Sequence, residues 1–110
     1  MQTVMLDSNI FDRLDKDESA QNSVRIARKN EQLRIVISPD IHRELQQGPF
    51  RGVPPFFPVV VVKEAIAPKT RHADIFVSEN PHNRDRLAAS KTCSCMSYEQ
   101  FSQWVSALPQ

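Results

Sequence analysis

Four short stretches of this chain are apolar without alternating regularly with polar residues: residues 3–6 (TVML), 34–38 (RIVIS), 59–62 (VVVV) and 73–78 (ADIFVS). A strand with one face in water alternates apolar and polar side chains, whereas a strand covered on both faces reads as a continuous apolar run. Covering both faces takes helices on both sides of the sheet, and helical crossovers make neighbouring strands parallel. Between the runs the sequence changes to helical period. The expected fold is therefore α/β: a three-layer α/β/α sandwich around a mainly parallel sheet of four to five strands, residues 92–96 supplying the last.

Length fits this reading. With 110 residues the chain forms one domain, residues 1–110, large enough to bury a core without a metal or disulfide staple. Its 40% hydrophobic and 25% charged residues are ordinary for a globular protein. A formal net charge of +1 excludes nucleic-acid binding driven by global charge, though a local basic patch is enough for it. No apolar run reaches the length of a membrane span, so no membrane partner is expected. Residues 1–6 run straight into Asp7 and are too short for a signal-peptide core. Cys93 and Cys95 are one residue apart, where a disulfide would be strained. Reduced thiols and a cytoplasmic location are expected.

Local signals place the elements. Residues 10–14 have room for one helical turn. Residues 17–30 predict a helix with Ala20, Val24 and Ala27 on its inner face. Ser38 followed by Pro39 is a helix start, and Gly48-Pro49 stops that helix after Gln47. Residues 48–58 (GPFRGVPPFFP) hold four of the eight prolines and both glycines and predict a loop. The four valines that follow predict a strand buried on both faces. Residues 63–71 allow at most about two helical turns, and a basic helix is expected around residues 83–89. Ser97 with Gln100 forms a capping box for a last helix, with Tyr98, Phe101, Val105 and Leu108 as its apolar stripe and Trp104 beside them.

In parallel sheets, functional residues gather beyond the carboxyl ends of the strands, near the point where strand order reverses. Asp7 and Asn9 follow the first strand; Ser78, Glu79 and Asn80 follow the fourth. Glu44 lies in the helix after the second strand, one residue before Leu45, and leans toward the core face on spacing alone. Carboxylates that converge repel one another unless a hard cation such as Mg²⁺ or Mn²⁺ holds them together. The same residues have plainer readings: Asp-Ser-Asn and Glu-Asn-Pro are good turn or cap chemistry, and Glu44 also fits an exposed helix face. His42, His72 and His82 have no metal-ligand spacing, and the two cysteines lack the Cys-x-x-Cys spacing.

Taken in order, the segments VMLDSNIFDRL, ISPDIHREL, ADIFVSENPHNRDRL and CSCMSYEQFSQWV resemble the opening strand, second strand and acid-bearing helix, late strand, and closing strand and helix of PIN-like domains. The resemblance covers most of the chain. It implies a metal-dependent ribonuclease, often the toxin of a bacterial toxin–antitoxin pair. It further implies catalytic roles for Asp7, Glu44 and Glu79, with Asp7 and Glu44 holding Mg²⁺ or Mn²⁺. Asn9, Ser78 and Asn80 would orient water or phosphate. The chain departs from the family pattern in two places. Asn80 occupies the usual fourth-acid position, with Glu79 beside it, and the interval that normally carries a third acid holds only Glu64. The acidic site is therefore incomplete.

Two functions follow as alternatives: a metal-dependent PIN-like ribonuclease, or a catalytically inactive PIN-like module that binds RNA or protein. A receiver-like signalling domain would need an acidic pair after the first strand, which is absent. Lys69, Arg71, Arg84, Arg86 and Lys91 bracket the fourth strand and are either ordinary solvated surface charge or a basic edge for RNA phosphate, Arg84 among them as a candidate substrate contact. Phe50, Phe56 and Phe57 either cover the core or, if exposed, mark contact with an antitoxin or a second copy of the chain.

Overall fold

A computed structural model describes residues 1–62, 74–80 and 94–109. β1 (Gln2–Leu6), β2 (Leu33–Ile37), β3 (Val60–Val61), β4 (Ile75–Val77) and β5 (Ser94–Met96) form a single sheet of five strands in the order β3-β2-β1-β4-β5. Every pairing is parallel. Four helices accompany the strands among the described residues: α1 (Ser8–Asp15), α2 (Glu18–Lys29), α3 (Pro39–Gln47) and α4 (Tyr98–Ser106). The fold is α/β, consistent with a three-layer α/β/α sandwich.

β1 lies at the centre of the sheet between β2 and β4, and its Val4, Met5 and Leu6 are all buried. Its register against β4 is pinned at the start by Asp74, whose N–H donates to the Thr3 carbonyl at 2.8 Å. The Asp74 carboxylate in turn accepts from the Thr3 N–H at 2.9 Å. Four residues of β2 are equally closed off, and Arg34 is its one exposed position.

The helices follow local chemistry. Asp7 caps α1, which runs for eight residues rather than the single turn expected, and buries Ile10, Phe11 and Leu14. Asp17 caps α2, whose Ala20, Val24 and Ala27 face inward as the spacing predicts. Ser38 and Pro39 start α3, the Ser38 hydroxyl accepting from the Ile41 N–H at 3.2 Å. Ser97 and Gln100 form the reciprocal capping box of α4. α1 packs against α2 and α3, and α2 packs against α4. No helix among the described residues is long and apolar enough to cross a membrane.

One expectation is corrected. The valine run is not a strand buried on both faces. β3 takes only two of its residues, lies at the end of the strand order beside β2, and leaves Val60 53% exposed. β-Branched composition marks a strand but does not say whether it is central or at an edge, because that depends on which partners arrive. The phenylalanines take the first of their two expected roles and pack on the core. Phe57 is 6% exposed and belongs to the core, while Phe50 and Phe56 are half-buried against it. Their rings meet in series at 6.3 Å, Phe50 and Phe56 T-shaped and Phe56 tilted on Phe57. Arg25 of α2 holds this loop down by donating from Nε to the Phe56 carbonyl at 2.6 Å. The segments expected around residues 63–71 and 83–89 lie outside the described residues.

Substitutions separate these environments. Phe57→Ala is expected to cost about 3 kcal/mol through lost burial and a cavity. Val60→Lys is expected to change stability by no more than about 0.5 kcal/mol, as an exposed edge substitution. Urea unfolding midpoints of the two variants check both values.

Candidate functional site

β1 and β4 are adjacent, with Leu6 opposite Val77, so the residues that follow them, Asp7 and Ser78, emerge side by side. From β1 the chain moves outward through α1 and α2 to β2 and then β3, and later returns to the other side of β1 as β4. The carboxyl ends of β1 and β4 therefore flank the switch point of the sheet, where parallel α/β folds open a crevice.

Asp7 is 8% exposed and Ser78 is fully buried. A carboxylate so enclosed is costly without donors, and two local features supply them. Capping α1 brings the Ser8 N–H to Asp7 Oδ1 at 2.8 Å. The end of β4 brings the Ser78 hydroxyl, which donates to Asp7 Oδ2 at 2.8 Å. The Asp7 N–H donates to the Val77 carbonyl at 2.9 Å, so the backbone ladder extends into the site. Ser78 Oγ also accepts from the Asn80 N–H at 3.1 Å, which folds the loop back over the strand end.

α1 sends two i, i+4 pairs in different directions. Ser8 and Asp12 reach the side facing α3. There the Ser8 hydroxyl donates to Glu44 Oε2 at 3.0 Å, and both residues line a shallow groove. Asn9 and Arg13 reach the loop after β4. Asn9 Oδ1 accepts from the Glu79 N–H at 3.3 Å, and Arg13 pairs with the Glu79 carboxylate.

The residues singled out in sequence thus meet unequally. Asp7, Ser78, Asn9 and the backbones of Glu79 and Asn80 come together at the switch point. Glu44 joins through Ser8, and it is exposed on α3 rather than turned to the core as the spacing suggested. The Glu79 carboxylate is engaged by Arg13. Among the described residues no three His, Cys, Asp or Glu side chains converge as a metal-binding group. Arg84, Glu64, His72, His82, Cys93 and the basic residues Lys69, Arg71, Arg86 and Lys91 lie outside the described residues. His42 and Cys95 are half-buried on α3 and β5.

Sequence reasoning missed Asp12, Arg13 and Tyr98. The signal for the first two was the i, i+4 spacing from Ser8 and Asn9, which becomes legible once α1 is known to start at residue 8. Tyr98 was read as part of a core stripe. It is buried, but its ring also lies 4.7 Å from the Arg13 guanidinium carbon, in cation–π contact. Its hydroxyl donates to Asp17 Oδ2 at 2.7 Å. Burial, followed by that hydrogen bond and the Asp17 charge, pushes the phenol well above its ordinary value, and Arg13 opposes the shift.

Tyr98 is the single tyrosine of the chain, so its titration is directly visible. The phenol ionises less readily folded than unfolded. Its contribution to stability is therefore complete below an unfolded value of about 10 and is lost as pH rises through the folded value. Absorbance near 295 nm is expected to show little tyrosinate at pH 10.5 in the native protein, with a normal titration in urea. Tyr98→Phe is expected to cost about 1 kcal/mol at neutral pH and to remove this part of the alkaline loss of stability.

The chain matches no family model, no curated protein and no solved structure.

Proposed function

We propose that the chain is a PIN-like, metal-dependent ribonuclease with a reduced acidic site. A toxin of a toxin–antitoxin pair is the biological setting this reading implies. The observation that carries it is the nearly buried Asp7 carboxylate at the switch point of a parallel β3-β2-β1-β4-β5 sheet, with a second carboxylate, Glu44, reached through the Ser8 side chain.

The donor set suits a hard cation. Mg²⁺ is commonly held by one or two carboxylates, with waters and substrate phosphates completing its shell. Asp7 and Glu44 would hold Mg²⁺ or Mn²⁺, and the cation when bound would activate water and offset charge on the phosphate being cleaved. The chain's own residues set the stage for that chemistry. Ser78 fixes the orientation of Asp7 from the β4 side, Ser8 fixes Glu44, and Asn9 holds the backbone after Ser78. Asn80 and Arg84 are proposed to meet water or phosphate.

A second reading, a catalytically inactive module that binds RNA or protein, has its own support. Asn80 stands where the family places an acid, and the Glu79 carboxylate is committed to Arg13.

Purified protein is expected to cleave single-stranded RNA with Mg²⁺ or Mn²⁺ and to stop in EDTA. Asp7→Asn, shown to be folded by circular dichroism, is expected to lose at least about 100-fold in rate. Glu44→Gln is expected to lose at least about tenfold, the range set by residues that hold or support a metal. Absence of cleavage by folded protein across several RNAs and both metals would move the assignment to the binding module.

A further inference from the structure

We propose that the groove between α1 and α3 binds an unpaired nucleobase with the donor edge of guanine, stacked on Phe50 and read by the Asp12 carboxylate. This deepens the ribonuclease reading and rests on it for the RNA strand that would carry the base.

The groove has about 170 Å³ of room and is lined by Ser8, Asn9 and Asp12 of α1, Glu44 of α3, and Phe50 of the following loop. That is below the roughly 300 Å³ at which sites for drug-sized ligands begin, so it suits one flat ring system. Its lining carries two carboxylates and no Lys or Arg. Such a wall repels phosphate, so the groove does not carry the backbone of a nucleic acid. It accepts a neutral group that presents hydrogen-bond donors.

The two carboxylates differ in availability. Glu44 already accepts from the Ser8 hydroxyl. Asp12 is exposed and has no hydrogen-bond or ion-pair partner among the described residues. An ionised carboxylate only accepts. The Watson–Crick edge of guanine sets two donors side by side, N1–H and the 2-amino group, which a carboxylate takes as a pair. Adenine and cytosine place a ring acceptor beside their amino group, and uracil flanks its N3–H with carbonyls, so each sets lone pairs against the carboxylate. Unpaired bases are commonly bound by stacking on an aromatic ring while this edge is hydrogen-bonded. Phe50 is suited to the stacking role because it lines the groove and its side chain is half-buried, in T-shaped contact with Phe56 at 6.3 Å. The groove begins at Ser8, the residue after Asp7, so a base held there lies beside the acidic site.

The test is a titration of the ¹⁵N-labelled full chain with guanosine, adenosine, cytidine and uridine in EDTA, followed by amide shifts. Guanosine is expected to give saturable shifts at Ser8, Asn9, Asp12, Gly48 and Phe50, with the other nucleosides at least about tenfold weaker. Asp12→Asn changes an exposed residue and is expected to lower guanosine affinity about tenfold. Phe50→Leu keeps an apolar side chain against the core and is expected to lower affinity for stacked bases. Equal or absent shifts for the four nucleosides would overturn the proposal, as would stronger shifts of the same amides by N-acetyl-arginine amide, which would point to a protein partner instead. Because the titration needs neither metal nor cleavage, the two readings separate. Cleavage without guanosine binding removes the base site and leaves the nuclease, whereas guanosine binding without cleavage does the reverse.

Discussion

The hydrogen bond from the Ser78 hydroxyl to Asp7 Oδ2 is the constraint from which the rest of the site follows. A carboxylate this enclosed is tolerated only when donors meet it. Asp7 also caps α1 and continues the β1–β4 ladder through its own N–H. One residue therefore fixes where a helix begins, how two strands end, and where a negative charge sits. Because the start of α1 is fixed, so is its rotation. That rotation sends Ser8 and Asp12 toward α3, and Asn9 and Arg13 toward the loop after β4.

The loop after β4 is held by more than the sheet. Arg13 pairs with Glu79, lies over the Tyr98 ring, and through Tyr98 shares a network with Asp17, the cap of α2. Three helices thus bear on a loop two residues past β4. Arg13 is half-exposed, and an exposed ion pair by itself contributes little. The arrangement matters for geometry because the charge, the ring and the hydroxyl constrain one another.

What could be read in advance follows the range of the interactions. Caps are set within four residues, so Ser38-Pro39 and Ser97 with Gln100 could be read from the sequence. The buried character of β1 also follows from its own side chains, as does the inner face of α2. The valine run could not be placed, because central and edge strands differ in neighbours rather than in composition. The partnership of Glu79 with Arg13 spans 66 positions, and no local pattern announces it. Asp7 and Ser78 were legible as strand-end residues. That they share a hydrogen bond required knowing that β1 and β4 are adjacent, a property of strand order alone. Glu44 was legible as a residue of α3 with an inward and an exposed reading both open, and its partner Ser8 lies 36 positions away, beyond any local pattern.

Strand order also governs how the molecule comes into being. The middle strand of the sheet, β1, is the first of the five to be synthesised, and its second neighbour follows only at residues 75–77. Residues 1–62 supply three strands and three helices, while one flank of β1 still lacks its partner. At about 5–20 residues per second, the ribosome leaves that flank open for on the order of a second before β4 is made. An unpaired apolar strand is a template for the wrong neighbour, so the nascent half-sheet is the vulnerable species of this protein. Ser78 arrives with the strand that closes the gap. Completion of the central ladder and seclusion of Asp7 from water are therefore one event in the life of the chain.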